Sequence, residues 1–108
     1  MIVTTTEHVE GYRVKKVIGH VFGLVVRSRG LGGNIVAGLR SLAGGEIHEF
    51  TEMLEDARRQ AVDRMIQNAT AMGATGVVMM RFDSSEIGQT MAEVVAYGTA
   101  VDLEKIPS

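Results

Sequence analysis

Residues 12–28 are dominated by valine, isoleucine and phenylalanine. In an extended backbone successive side chains alternate between faces. Val17, Gly19, Val21, Gly23 and Val25 then share one face, and Ile18, His20, Phe22, Leu24 and Val26 the other. Both sets are largely apolar, which predicts a strand covered on both sides, by a helix on one and a neighbouring subunit on the other. Gly19 and Gly23 fall together, where a missing side chain permits close backbone approach or a bulge. Residues 1–5 are short and β-branched and predict a small first strand.

From about residue 47 to 72 the period changes. Phe50, Met53, Leu54, Ala57, Ala61, Val62, Met65, Ile66, Ala69 and Met72 recur at spacings of three, four and one, a single wide helical stripe. Glu55 and Arg59 form a favourable i,i+4 pair on the opposite side. Gly73 is placed to end the helix in a left-handed conformation. Such a helix is about 39 Å long at 1.5 Å per residue, more than a compact domain of this size is wide. It is expected to overhang or to lie along something larger than one subunit. A second, short helix is expected after Asn34, where Ile35, Leu39 and Leu42 repeat at helical spacing until Gly44 and Gly45. Residues 77–84 and 90–103 read as two strands joined by 85–89, close enough for an antiparallel hairpin. The expected plan is α+β: a mostly antiparallel sheet with one long and one short helix, in the order β-β-α-α-β-β.

Composition narrows the class. With 108 residues, 45% of them hydrophobic, the chain is a single domain spanning 1–108 and carries a real core. That fraction and a net charge of −2 exclude disorder and give no electrostatic reason to expect nucleic acid. There is no cysteine, hence no disulfide, thiolate nucleophile or cysteine zinc site. No apolar run is long enough for a membrane span and the first residues lack a signal-peptide pattern. A cytoplasmic protein with neither a membrane nor a nucleic-acid partner is expected.

Three stretches carry a resemblance: Ala37-Gly38-Leu39-Arg40-Ser41 running into Gly44-Gly45-Glu46, then Arg81-Phe82-Asp83-Ser84-Ser85-Glu86-Ile87, then Ala96-Tyr97-Gly98-Thr99-Ala100-Val101. In this order and spacing they resemble the YbjQ-like family of small bacterial proteins, which carries a heavy-metal-binding label. The likeness covers nearly the whole chain. It implies a dodecin-like subunit assembled into a homopentameric ring, and it supplies no activity.

Candidate chemistry falls in three places. Glu46, His48 and Glu52 could hold a divalent metal ion as cofactor. His48-Glu49-Phe50-Thr51-Glu52 is similar to a zinc-protease helix, with Glu52 where the second histidine would stand. Against this, glutamates favour a first helical turn through the helix dipole alone, and soft metals prefer thiolates and thioethers while the methionines sit mostly at core positions. The glycine-rich run Gly30, Gly32, Gly33, Asn34, flanked by Arg27 and Arg29 and followed by Arg40, leads from strand to helix and could bind an anion at free backbone amides. The alternative is a turn that needs glycine for its backbone. Arg81 and Asp83, at i,i+2 on one strand face, are candidates for an inter-subunit polar contact. Ser84 or Ser85 would need an activating base to act as nucleophile, and His8, His20 and His48 stand at no telling spacing from them. No catalytic residue is assigned. The reading is a ring-forming binding or scaffold protein without enzyme chemistry; a metal-ion or small-anion binder is the alternative, and a hydrolase the third.

Overall fold

The computed structural model describes residues 1–28, 48–87 and 91–107, with side chains of the long helix from Thr51 onward. Four strands and one helix occur among them: β1 (Ile2–Val3), β2 (Tyr12–Ser28), α1 (His48–Ala71), β3 (Gly76–Ile87) and β4 (Met91–Lys105). They form one sheet in the order β1-β3-β4-β2. The hairpin is present, and β2 adds antiparallel to its far side, but β1 pairs parallel with β3. The sheet is therefore mixed, with two antiparallel pairings and one parallel pairing at the β1 edge. The expected short helix and its Gly44-Gly45 stop lie outside the described residues.

The helix lies on one sheet face. Its buried residues are Ala57, Ala61, Met65 and Ala69, one every four positions, and they meet Val21 and Val25 of β2, Val77 of β3, and Val94, Ala96 and Ala100 of β4. Three alanines in that row bring the helix backbone down onto the sheet. Gly23 is the complementary notch: a Cβ there would stand 3.0 Å from the Arg64 carbonyl carbon and closer still to the Ala61 oxygen and the Met65 nitrogen. Two helix side chains reach past the notch to β2. Arg64 Nη1 donates to the Leu24 carbonyl at 2.6 Å and Asn68 Nδ2 to the Phe22 carbonyl at 2.8 Å. Carbonyls two residues apart point the same way, so these bonds occupy the outer edge of β2, which would otherwise template another strand.

Gly73 stops α1 as expected, at φ +86°. The Ala74 amide donates to Ala69 O and the Gly73 amide to Thr70 O, both at 3.0 Å, which satisfies two of the carbonyls a helix end leaves bare. Ala74 and Ala69 join the core cluster there.

Three irregularities bend the sheet at its other end. β2 slips register between Val14 and Lys16 and again between Val17 and Gly19. β3 slips between Val78 and Arg81, so that Met79 and Met80 together oppose Gly98. Met79 sits at φ +58°, a region costly for a side chain with a Cβ. At Gly98 a Cβ would meet Val77 Cγ1 at 2.7 Å and the Val78 oxygen at 2.9 Å. The bulge turns β3 toward the amino-terminal segment: the Met79 amide donates to Thr6 O at 3.1 Å and the Met80 amide to Thr4 O at 3.0 Å. The slip at Ile18 also corrects the expected face assignment. Ile18 packs against the core, whereas Val17, expected beside Val21, is 63% exposed on the other side.

The result is long and thin. The extents are 57 × 24 × 15 Å and the radius of gyration 17.6 Å, against about 13 Å for a compact chain of this length. The 17 residues of β2 account for the long axis at about 56 Å.

Candidate functional site

The helix covers one face of the sheet, and the opposite face is open among the described residues. Register places three transverse rows on it: Phe22, Tyr97 and Arg81; Leu24, Val95 and Asp83; Val26, Glu93 and Ser85. The β2 and β4 positions are mostly apolar, and Phe22 is 52% and Tyr97 44% exposed. The β3 positions are polar. The face is thus an apolar band with a polar margin.

Toward the bulged end the same face deepens into a cavity of about 580 Å³. Tyr12, Val14, Val17, Val78, Leu103 and Ile106 supply its apolar wall, and residues 7–9 fold over one side. Arg13 stands at the rim, engaged with Glu104 at 2.6 Å. An ion pair this exposed contributes little to stability. The loop over the cavity is anchored at both ends. Arg81 Nη1 donates to Thr5 O at 2.8 Å, and the Ile106 amide donates to Gly11 O at 2.9 Å.

The expected site residues fare unevenly. Arg27 is the penultimate residue of β2 and pairs with Asp56 of α1 at 2.9 Å, which commits its charge within the chain. Arg29, Gly30, Gly32, Gly33, Asn34, Arg40 and Glu46 lie outside the described residues. His48 opens α1, and Glu52 follows one turn on, exposed. Arg81 and Asp83 do share the open face, but Arg81 holds the amino-terminal segment rather than standing free. Ser85 Oγ pairs with Glu93 at 3.2 Å, and Asp83 accepts from the Ser84 amide. His20 opposes Thr99 while Ser84 opposes Val94, so roughly 17 Å of strand separates that histidine from the serine. The structure does not bring this pair together as nucleophile and base. The cavity had no counterpart among the sequence candidates. Its signal was the run of exposed valines around Lys15 and Lys16, read there only as strand.

This geometry defines a class: small helix-on-sheet α+β proteins whose second sheet face is largely apolar and, among the described residues, uncovered. The chain belongs to the YbjQ family, whose model, described as "Putative heavy-metal-binding", matches residues 1–104. It is 66% identical over 104 residues to a UPF0145 protein of Bradyrhizobium sp. (strain ORS 278), covering 96% of this chain and 94% of that one. It is 57% identical over 106 residues to a UPF0145 protein of Picrophilus torridus (98% and 90% covered), and 57% identical over 105 residues to one of Saccharolobus islandicus (97% and 92%). The last two organisms are archaea, so the family is not confined to bacteria. Among solved structures, a protein of unknown function of the DUF74 family from Pediococcus pentosaceus has a TM-score of 0.67 at 16% identity, covering 96% of this chain and 98% of that one. That likeness concerns the fold alone.

The heavy-metal label finds no donor set in the described residues. No group of three or more histidine, aspartate or glutamate side chains is placed there to hold an ion, and the chain has no cysteine. Met65 is fully buried, Met80 packs against the core, and Met79 and Met91 are exposed at positions far apart along the sheet. No helix among the described residues is long and apolar enough to cross a membrane.

Proposed function

We propose that this protein is a self-assembling binding or scaffold protein, a ring of identical subunits without enzyme chemistry of its own. The observation that carries the reading is the open sheet face. Phe22, Leu24, Val26 and Tyr97 leave a contiguous apolar band in water on a protomer whose other face is already closed by α1. Apolar area of this kind contributes roughly 25 cal/mol for each Å² removed from water, and contiguous bands of it mark interaction sites. The placement of the helix supports the same reading, because among the described residues α1 packs on one face of the sheet only. On the family resemblance, the ring in this reading is a homopentamer.

Sedimentation velocity or light scattering tests this at micromolar protomer concentration. The expected species is larger than a dimer, and replacing Phe22 and Tyr97 by aspartate reduces it to folded monomers. A native monomer of the unmodified chain would overturn the proposal.

A further inference from the structure

The cavity at the bulged end of the sheet differs in kind from the apolar band beside it. Sheet side chains alone carry the band, whereas the cavity has a cover, residues 7–9, supplied by the same chain. That cover is pinned on both sides: the Met79 amide donates to Thr6 O and the Tyr12 amide to Val9 O, each at 3.1 Å. Val78 and Val101 are buried at the bottom, while Val14, Val17 and Ile106 line the cavity and stay exposed. Its volume of about 580 Å³ falls within the range of small-ligand sites, roughly 300–1,000 Å³. The bulge at Met79 acquires a purpose here, since it turns β3 toward the segment that forms the cover.

The lining narrows the occupant. Its charged residues are Glu7, His8 and Arg13, and no lysine contributes. Arg13 is already engaged with Glu104, so an anionic head finds no uncommitted lysine or arginine and meets the Glu7 carboxylate. A cationic head gains little from Glu7, which is exposed. An ion pair in water contributes at most about 1 kcal/mol, less than the cost of drawing a charge out of water into an apolar cavity. The neutral polar lining residues are Tyr12 and Thr99, and neither hydroxyl has a partner among the described residues. Thr99 opposes Val78 across the β3–β4 pairing, which sets its hydroxyl among apolar neighbours.

We propose that the cavity binds one small, uncharged, largely apolar molecule with a single hydroxyl or carbonyl group, oriented by the Thr99 hydroxyl. This gives the binding part of the functional reading a site and a ligand class. It does not depend on the ring, because the cavity shares no lining residue with the band of Phe22, Leu24, Val26 and Tyr97.

The test uses the full chain and the neutral dye N-phenyl-1-naphthylamine, whose fluorescence rises in apolar surroundings. A saturable rise at one dye per protomer is expected. 2-Naphthol should displace the dye at concentrations at least tenfold below those needed for 2-naphthoate or naphthylmethylammonium, which share its rings but carry charge. Val17→Lys, at an exposed strand position, should weaken dye binding at least tenfold while circular dichroism stays unchanged. Thr99→Val should weaken 2-naphthol about fivefold, the worth of one hydrogen bond, and leave naphthalene unaffected. No saturable rise, equal displacement by a charged analogue, or binding indifferent to Val17→Lys would each overturn the proposal. Binding lost with Phe22→Asp and Tyr97→Asp but kept with Val17→Lys would place the dye on the band and overturn it too. Sedimentation separates the two readings: dye binding to a monomer leaves the ligand site standing and removes the ring, and a ring that takes up no dye does the reverse.

Discussion

Gly23→Ala adds a single methyl group where the backbone of α1 comes down onto the backbone of β2. The new Cβ would lie 3.0 Å from the Arg64 carbonyl carbon and nearer to the Ala61 oxygen and the Met65 nitrogen. These are backbone atoms inside a hydrogen-bonded helix, so no rotamer change relieves the overlap. Contact distances of about 3.5 Å or more are restored only if α1 lifts by roughly 1 Å. A gap of that size forfeits about a quarter to a half of each dispersion contact between the alanine row and the valines beneath it. Overpacking of this kind costs about 1–3 kcal/mol. The short Asn68 side chain cannot follow the Phe22 carbonyl through that displacement, which adds about 1 kcal/mol. Alanine returns roughly 0.5–1 kcal/mol through its stiffer unfolded chain. The net expectation is a loss of about 2–3 kcal/mol, near 10 °C in melting temperature for a domain of this size. The assay is urea unfolding followed by circular dichroism at one fixed protomer concentration, because assembly makes stability concentration-dependent. Gly23→Ala and Asn68→Ala together should cost less than the sum of the two, since both lose the same contact. A loss under about 1 kcal/mol, or full additivity of the pair, would refute the close approach.

Further expectations concern single backbone and edge features. Met79→Gly removes a Cβ from φ +58° and should raise stability or leave it unchanged, within about 1 kcal/mol, by thermal unfolding. Gly98→Ala, opposite that bulge, should lower it by about 2 kcal/mol, because the Val78 oxygen that the Cβ meets is backbone. Gly73→Ala at φ +86° should cost about 1–2 kcal/mol and fray the last turn of α1, seen as loss of hydrogen-exchange protection at Ala74. Arg64→Ala with Asn68→Ala bares two edge carbonyls of β2, and light scattering on warming should show earlier aggregation than in the unmodified chain.

Periodicity made the long elements legible. β2 was expected over 12–28 and occupies Tyr12–Ser28; the helix was expected over about 47–72 and occupies His48–Ala71, with Gly73 at its stop. Apolar alternation and a four-residue alanine spacing are local signals, and local packing obeyed them. What was not legible depends on partners distant in sequence. Nothing in residues 1–5 says that β1 runs parallel to β3, because that choice is made by the Met79 bulge and the carbonyls of Thr4 and Thr6. The slip at Ile18 moved Val17 off its expected face, since strict alternation has no term for an inserted residue. Gly19 and Gly23 carried the hint of irregularity, and each marks a different device: Gly19 at φ +153° follows a slip in register, and Gly23 receives the helix. The cavity escaped notice because concavity comes from bends in two strands together, while sequence shows each strand alone.

The pairing of β2 with β4 has a consequence in time. Tyr12 opposes Lys105 and Ser28 opposes Met91, so the longest seam of the sheet joins residues near the two ends of the chain. Such a seam can close only after most of the polypeptide has been ordered, and loop closure of that span carries its entropic cost before any contact rewards it. The β3–β4 hairpin, local in sequence, forms in microseconds; the arrival of β2 is the slow event. Until then the inner edge of β4 stays unpaired and the alanine row of α1 lacks the strand that receives it. A nascent copy in that interval offers a strand edge to any neighbour, so the rate at which β2 docks, as much as final stability, governs whether copies meet as finished subunits or as tangled ones.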